Sequence, residues 1–104
     1  MRRAKVFVHN THAGILEERD LGSKYVFCYE DGYDGESVSL TLPVRQREYH
    51  FVRFPSFFEG LLPEGEMLEA LLLQNKIDRE DLFSQLMAVG QETVGAVTVI
   101  EVVD

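Results

Sequence analysis

Phe57-Phe58-Glu59-Gly60-Leu61-Leu62-Pro63-Glu64-Gly65 is the stretch on which the fold reading turns. Phe57, Phe58, Leu61 and Leu62 recur at i, i+1, i+4 and i+5, which is one apolar face of a short helix. Pro55, just ahead, suits the first turn of that helix, where a missing N–H costs nothing. Pro63 ends it, because the residue before a proline is pushed out of the α region. Glu64 and Glu66 then stand in the first turn of a second helix, where acids oppose the helix dipole favourably. Met67, Leu68, Leu71 and Leu72 form its apolar stripe and are expected to be buried. Asp78 with Asp81 reads as a capping box for a third helix. Leu82, Phe83, Leu86 and Met87 give that helix its stripe, and Gly90 its left-handed stop.

Upstream the period changes from helical to alternating. Val6 and Val8 alternate with Lys5, Phe7 and His9. Asn10-Thr11-His12-Ala13-Gly14 supplies turn residues, and a second strand leads out through Ile15, Leu16, Glu17 and Glu18. Asp20-Leu21-Gly22-Ser23 is the next turn. Tyr25, Phe27 and Tyr29 share one face of a third strand, with Val26 and Cys28 on the other. The acidic, glycine-bearing stretch 30–36 reads as a loop. Val38, Leu40 and Leu42 alternate with Ser37, Ser39 and Thr41, predicting a fourth strand stopped by Pro43. Around Tyr49 and Phe51 the pattern fits a short strand or an ordered loop. From Val94 to Val103 the density of β-branched residues predicts a last strand, and Gly95-Ala96 would allow it to pack closely. The order predicts a single α+β domain over 1–104, a small, mostly antiparallel sheet with about three helices on one face.

Composition narrows the class of partner. The 104 residues carry 18 Asp+Glu against 10 Lys+Arg, a net charge of −8. Such a surface repels phosphate backbones, so direct nucleic-acid contact is not expected, and it suits a basic protein partner. The single cysteine, Cys28, precludes an intrachain disulfide and fits a reducing cytoplasm. The basic start Met1-Arg2-Arg3-Ala4-Lys5 leads into no long apolar region, and no run approaches membrane-spanning length. A cytoplasmic domain with no membrane contact is expected.

Chemistry-bearing residues are present, but not in catalytic patterns. His9, His12 and His50 lack the spacing of a zinc ligand set. Asp31, Asp34 and Glu36 with Gly32 and Gly35 do not match the twelve-residue calcium loop. Cys28, between aromatic neighbours on a strand, reads as a small core residue. The serines lie in no nucleophile-elbow context, and no phosphate-binding glycine loop or kinase catalytic motif is present. No catalytic residue, metal or cofactor is expected.

The residues nevertheless resemble a family. Val8, Asn10 and Gly14-Ile15-Leu16, then Val38-Ser39-Leu40-Thr41-Leu42-Pro43, then the 57–65 stretch, then Gly90-Gln91-Glu92-Thr93-Val94-Gly95-Ala96-Val97 are similar to the N-terminal subdomain of HipA-type toxin kinases. In those proteins the subdomain leads into a Ser/Thr kinase body. Here the sequence ends at Asp104, so a kinase body is expected on another chain. A free-standing subdomain resembles the HipS-like antitoxins of HipBST systems. The resemblance implies a non-enzymatic antitoxin that binds and inhibits a HipT-like Ser/Thr kinase, by occluding the kinase cleft or its ATP-binding loop. It also implies a ternary complex with a HipB-like DNA-binding protein. The alternatives are a structural or activating subunit of a split kinase, and an adaptor between kinase and repressor. The expected kinase contacts are Glu59, Pro63, Glu64, Gly65, Glu66 and Met67. HipA-type subdomains commonly place an Arg-Glu pair early in the next helix; Leu68-Glu69 stands there in this chain.

Overall fold

Alternating apolar residues draw the amino-terminal part into three antiparallel strands, β1 (Arg2–Val8), β2 (Thr11–Asp20) and β3 (Ser23–Tyr29). The computed structural model describes residues 1–103. Asp104, where the sequence ends, lies outside the described residues. His9 and Asn10 turn the first hairpin with φ of 47° and 68°, the paired positive values whose twist suits a two-residue hairpin. The turn is therefore tighter than the 10–14 expectation, and β2 starts well before Ile15.

The fourth strand is not at 38–42. It is β4 (Glu48–Phe51), which pairs with β3 and places Tyr49 opposite Phe27. The buried Tyr29 hydroxyl explains the loop that takes the place of the expected strand. It accepts the Val38 N–H at 2.9 Å and donates to the Leu42 carbonyl. Two backbone groups that a ladder would use are thereby taken by a side chain. Between them the chain turns tightly, with the Leu42 N–H on the Ser39 carbonyl at 3.1 Å. Val38 and Leu42 are buried as the alternation predicts, but Leu40 is 99% exposed at the tip.

The last strand, β5 (Val97–Glu101), starts later than Val94 and pairs antiparallel with β1. The sheet order is β4-β3-β2-β1-β5. One face carries the core, with Val6, Leu16, Phe27 and Val99 fully enclosed. Three helices complete the fold: α1 (Ser56–Glu59), α2 (Gly65–Asn75) and α3 (Leu82–Val89). Phe58 of α1 lies 5.9 Å from the Phe27 ring, and α3 buries Phe83 and Leu86. No helix among the described residues is long and apolar enough to cross a membrane.

α3 is fastened at its start. Its cap is Asp81, whose carboxylate accepts the Ser84 N–H at 3.1 Å. This is one turn beyond the expected Asp78–Asp81 box. The Asp78 carbonyl instead takes the Gln85 side-chain amide at 3.2 Å. Arg2 reaches from β1 to the same cap, 2.9 Å from Asp81, and its other edge clasps Glu18 of β2 at 2.6 Å and 2.9 Å. Glu18 is only 3% exposed, and it also accepts from the Gly22 N–H and the Tyr25 hydroxyl. Its carboxylate is thus paired and hydrogen-bonded, the condition under which a buried charge is tolerated.

At the far end of α3, Gly90 is not a left-handed stop. Its φ is −59°, and the chain continues into a 3₁₀ turn, Gly90–Glu92. What requires glycine there is proximity, since a Cβ would sit 2.3 Å from the Val99 carbonyl oxygen. The close approach expected at Gly95 therefore belongs to Gly90; around Gly95 there is open space.

Candidate functional site

α2 has a run of leucines, yet none of its residues is buried. Leu68, Leu71 and Leu72 are half-buried, whereas Met67 and Leu73 are 74% and 82% exposed. The stripe expected to be wholly buried is therefore only partly covered, and Met67 does not belong to the core. Gly65 opens the helix with φ of +59°, a conformation that costs glycine least. Lys76 closes it in the left-handed region. Glu64 is the N-cap residue, but its side chain makes no capping hydrogen bond. Beyond the helix, Arg79 holds Glu69 in a two-pronged ion pair, both contacts at 2.7 Å.

The uncovered face of α2 forms one wall of a groove of about 650 Å³. Leu61 and Pro63 of the first signature stretch line it, with Met67, Ala70 and Leu71. Glu92, Thr93 and Val94 of the second signature stretch line it as well. Val94 is 99% exposed. Thr93 fixes the shape of this bend through its hydroxyl, which donates to the Val97 carbonyl. Two stretches far apart in sequence thus meet across an open apolar surface.

Of the expected contact residues, Pro63 and Met67 line the groove. Glu64 and Glu66 are exposed on either side of Gly65 at the start of α2, and Glu59 is exposed at the end of α1. Sequence reasoning missed Val94 and Glu92. The block containing them was quoted for its resemblance, but its β-branched density pointed to a strand and not to an exposed bend.

Other hollows offer different chemistry. One of about 470 Å³ lies between the first hairpin and the 30–36 loop, where His9 approaches Glu36 at 3.2 Å. Among the described residues, no group of three or more His, Cys, Asp or Glu is placed to hold a metal ion. A second hollow, of about 570 Å³, runs beside β4. Cys28 is half-buried on the sheet face away from the core, not enclosed as expected. Partial burial, with Glu48 and Asp31 near, raises its thiol pKa, which disfavours the nucleophilic thiolate.

The family model for the HipA N-terminal domain matches residues 4–100. The chain belongs to the HipA N-terminal domain family. A protein of Haemophilus influenzae described as uncharacterized is 33% identical over 101 residues, spanning 97% of this chain and 93% of its own length. A solved structure titled "N-terminal domain of HipA toxin" superimposes with a TM-score of 0.79 at 30% identity, covering all of this chain and 95% of that one. The match is to the N-terminal domain of HipA and includes no kinase domain. Both signature stretches of this HipA-type domain frame the groove, and its core holds the aromatic residues of the sheet and α3.

Proposed function

We propose that this HipA N-terminal-type domain is a cytoplasmic, non-catalytic antitoxin. It binds and inhibits a separate HipT-like Ser/Thr kinase, by occluding the kinase cleft or its ATP-binding loop. The observation that carries this reading is the meeting of the two signature stretches across an open apolar groove. Family membership supports a HipA-associated toxin–antitoxin setting. The relative from Haemophilus influenzae, matched over nearly all of its own length, supports a unit of this size. In this reading Glu59, Pro63, Glu64, Gly65, Glu66 and Met67 form the contact, and Val94 extends it across the groove. A HipB-like DNA-binding protein joins through the kinase, since a net charge of −8 disfavours direct contact with DNA.

The test is phosphorylation by a purified HipT-like kinase from the same genome, titrated with this protein. Activity should fall as a stoichiometric complex forms. A rise would instead make the chain an activating subunit of a split kinase, and an unchanged rate with no complex would overturn both readings. ATP binding at saturation separates the inhibitory routes: undiminished binding would leave only the occluded cleft.

A further inference from the structure

The groove is lined mostly by apolar residues, and acids outnumber bases in the helical part that forms it. Glu92 lines it, and Glu64 and Glu66 lie exposed just before Met67. Between Phe54 and Asn75 there is no lysine, arginine or histidine, and there is none after Arg79. Arg79 itself is engaged by Glu69 at 2.7 Å. Apart from Lys76 and Arg79, every Lys and Arg lies at or before Arg53, in the sheet and its loops. The helical end of the molecule is therefore acidic on its own account and does not merely share in the net charge.

We infer that the groove between α2 and the 92–94 segment seats an apolar segment of a protein partner flanked by lysine or arginine. For the partner's identity the inference rests on the kinase-docking reading; for the chemistry of the contact it rests on the groove alone. Met67 and Val94 both line the groove and are both largely exposed, uncovered apolar surface of the kind a partner's side chains bury. The acids around them attract flanking cations and repel phosphate. They also disfavour a second copy of this chain, because like faces would bring Glu64, Glu66 and Glu92 against one another. The α2 residues that line the groove run from Met67 to Gln74, a rise of about 10 Å. That length suits roughly two turns of a partner helix lying along it.

The experiment uses the whole chain and a synthetic amphipathic peptide with leucine at i, i+3, i+4 and i+7 and lysine elsewhere. Two control peptides replace lysine by glutamate, or leucine by serine. Amide chemical shifts locate the contact and calorimetry measures affinity. The Leu/Lys peptide should shift the amides of Leu61, Met67, Ala70 and Val94, and both controls should bind at least about tenfold more weakly. The double variant Met67→Ser/Val94→Ser should lose about tenfold for the Leu/Lys peptide with its melting temperature unchanged. Equal binding of the Leu/Glu or Ser/Lys peptide, shifts confined to the strands, or undiminished binding by the variant would each overturn the inference. Groove binding without any effect on a HipT-like kinase would remove the kinase reading and keep this one. Inhibition of the kinase without groove binding would do the reverse.

Discussion

α2 and α3 are both leucine-bearing helices of one small domain, yet they stand in opposite relations to its core. α3 buries Phe83, Gln85 and Leu86, is capped by Asp81, and is tied through Arg2 to two strands. α2 buries none of its residues and has no side-chain cap. It is held by half-buried leucines and by an exposed ion pair to Arg79. An isolated helix of this length is marginal in water, so packing must hold it in place, and that packing uses only part of its apolar surface. Of the rest, Met67 lines the groove, and Leu73 is exposed outside it. Apolar content alone therefore does not assign a helix to a core: α3 uses its stripe in folding, and α2 keeps part of its own exposed.

The largest effect should come from cutting into α3. Phe83→Ala, which empties a fully enclosed position, should cost about 4 kcal/mol in chemical denaturation. Met67→Ala and Leu73→Ala on α2 should each stay within about 0.5 kcal/mol. A comparable loss at Met67 would break the comparison, because it would make α2 part of the core.

Next in size is Arg2→Ala. It strands the Glu18 carboxylate in a buried site, and about 3 kcal/mol should be lost at neutral pH. Burial works to raise the Glu18 carboxyl, but Arg2, the Gly22 N–H and Tyr25 outweigh it and hold its pKa below the ordinary value. At Asp81 burial is likewise outweighed, by Arg2 and Ser84. A depressed carboxylate contributes stability that is present above its unfolded pKa and is lost as pH falls through the folded one. The native protein should therefore weaken on acidification below the ordinary carboxylate range. The Arg2→Ala penalty should shrink between about pH 6 and about pH 3, read as a converging pair of melting curves. A penalty independent of pH would contradict the ionic basis of the α3 anchor.

Smaller effects sharpen the same contrast. Gly90→Ala forces a Cβ against the Val99 carbonyl and should cost about 2 kcal/mol, since it pushes the end of α3 off β5. Gly65→Ala meets open space but a φ of +59°, so about 1 kcal/mol is expected from backbone strain alone. Equal losses at the two glycines, by thermal melting, would erase the distinction between a packed helix end and a free one.

The helices and the sheet are legible in the sequence, but the contrast between α2 and α3 is not, because both apolar stripes read as buried. The stripe of Leu82, Phe83, Leu86 and Met87 announces α3, and alternation over the first strands announces the sheet. The loop at 38–42 defeats alternation because Tyr29, distant in sequence, takes its backbone groups. The Arg2–Glu18–Asp81 clasp leaves no local pattern at all. In the groove, Pro63 and Met67 are readable as residues at a helix junction. Val94 is not, because a β-branched residue in a β-rich run looks like strand until the bend at Thr93 turns it outward. The deciding contact at Gly90 looks like a helix stop for a similar reason, since glycine serves both conformation and close approach.

On the proposed reading, the two signature stretches form a binding groove whose exposed residues serve a partner and not the fold. Calorimetry of a HipT-like kinase against the native chain and against Met67→Ser/Val94→Ser, with melting curves of both, tests it directly. The variant should lose at least about tenfold in affinity with no change in melting temperature. Equal affinity for the kinase, with both proteins folded, would contradict it.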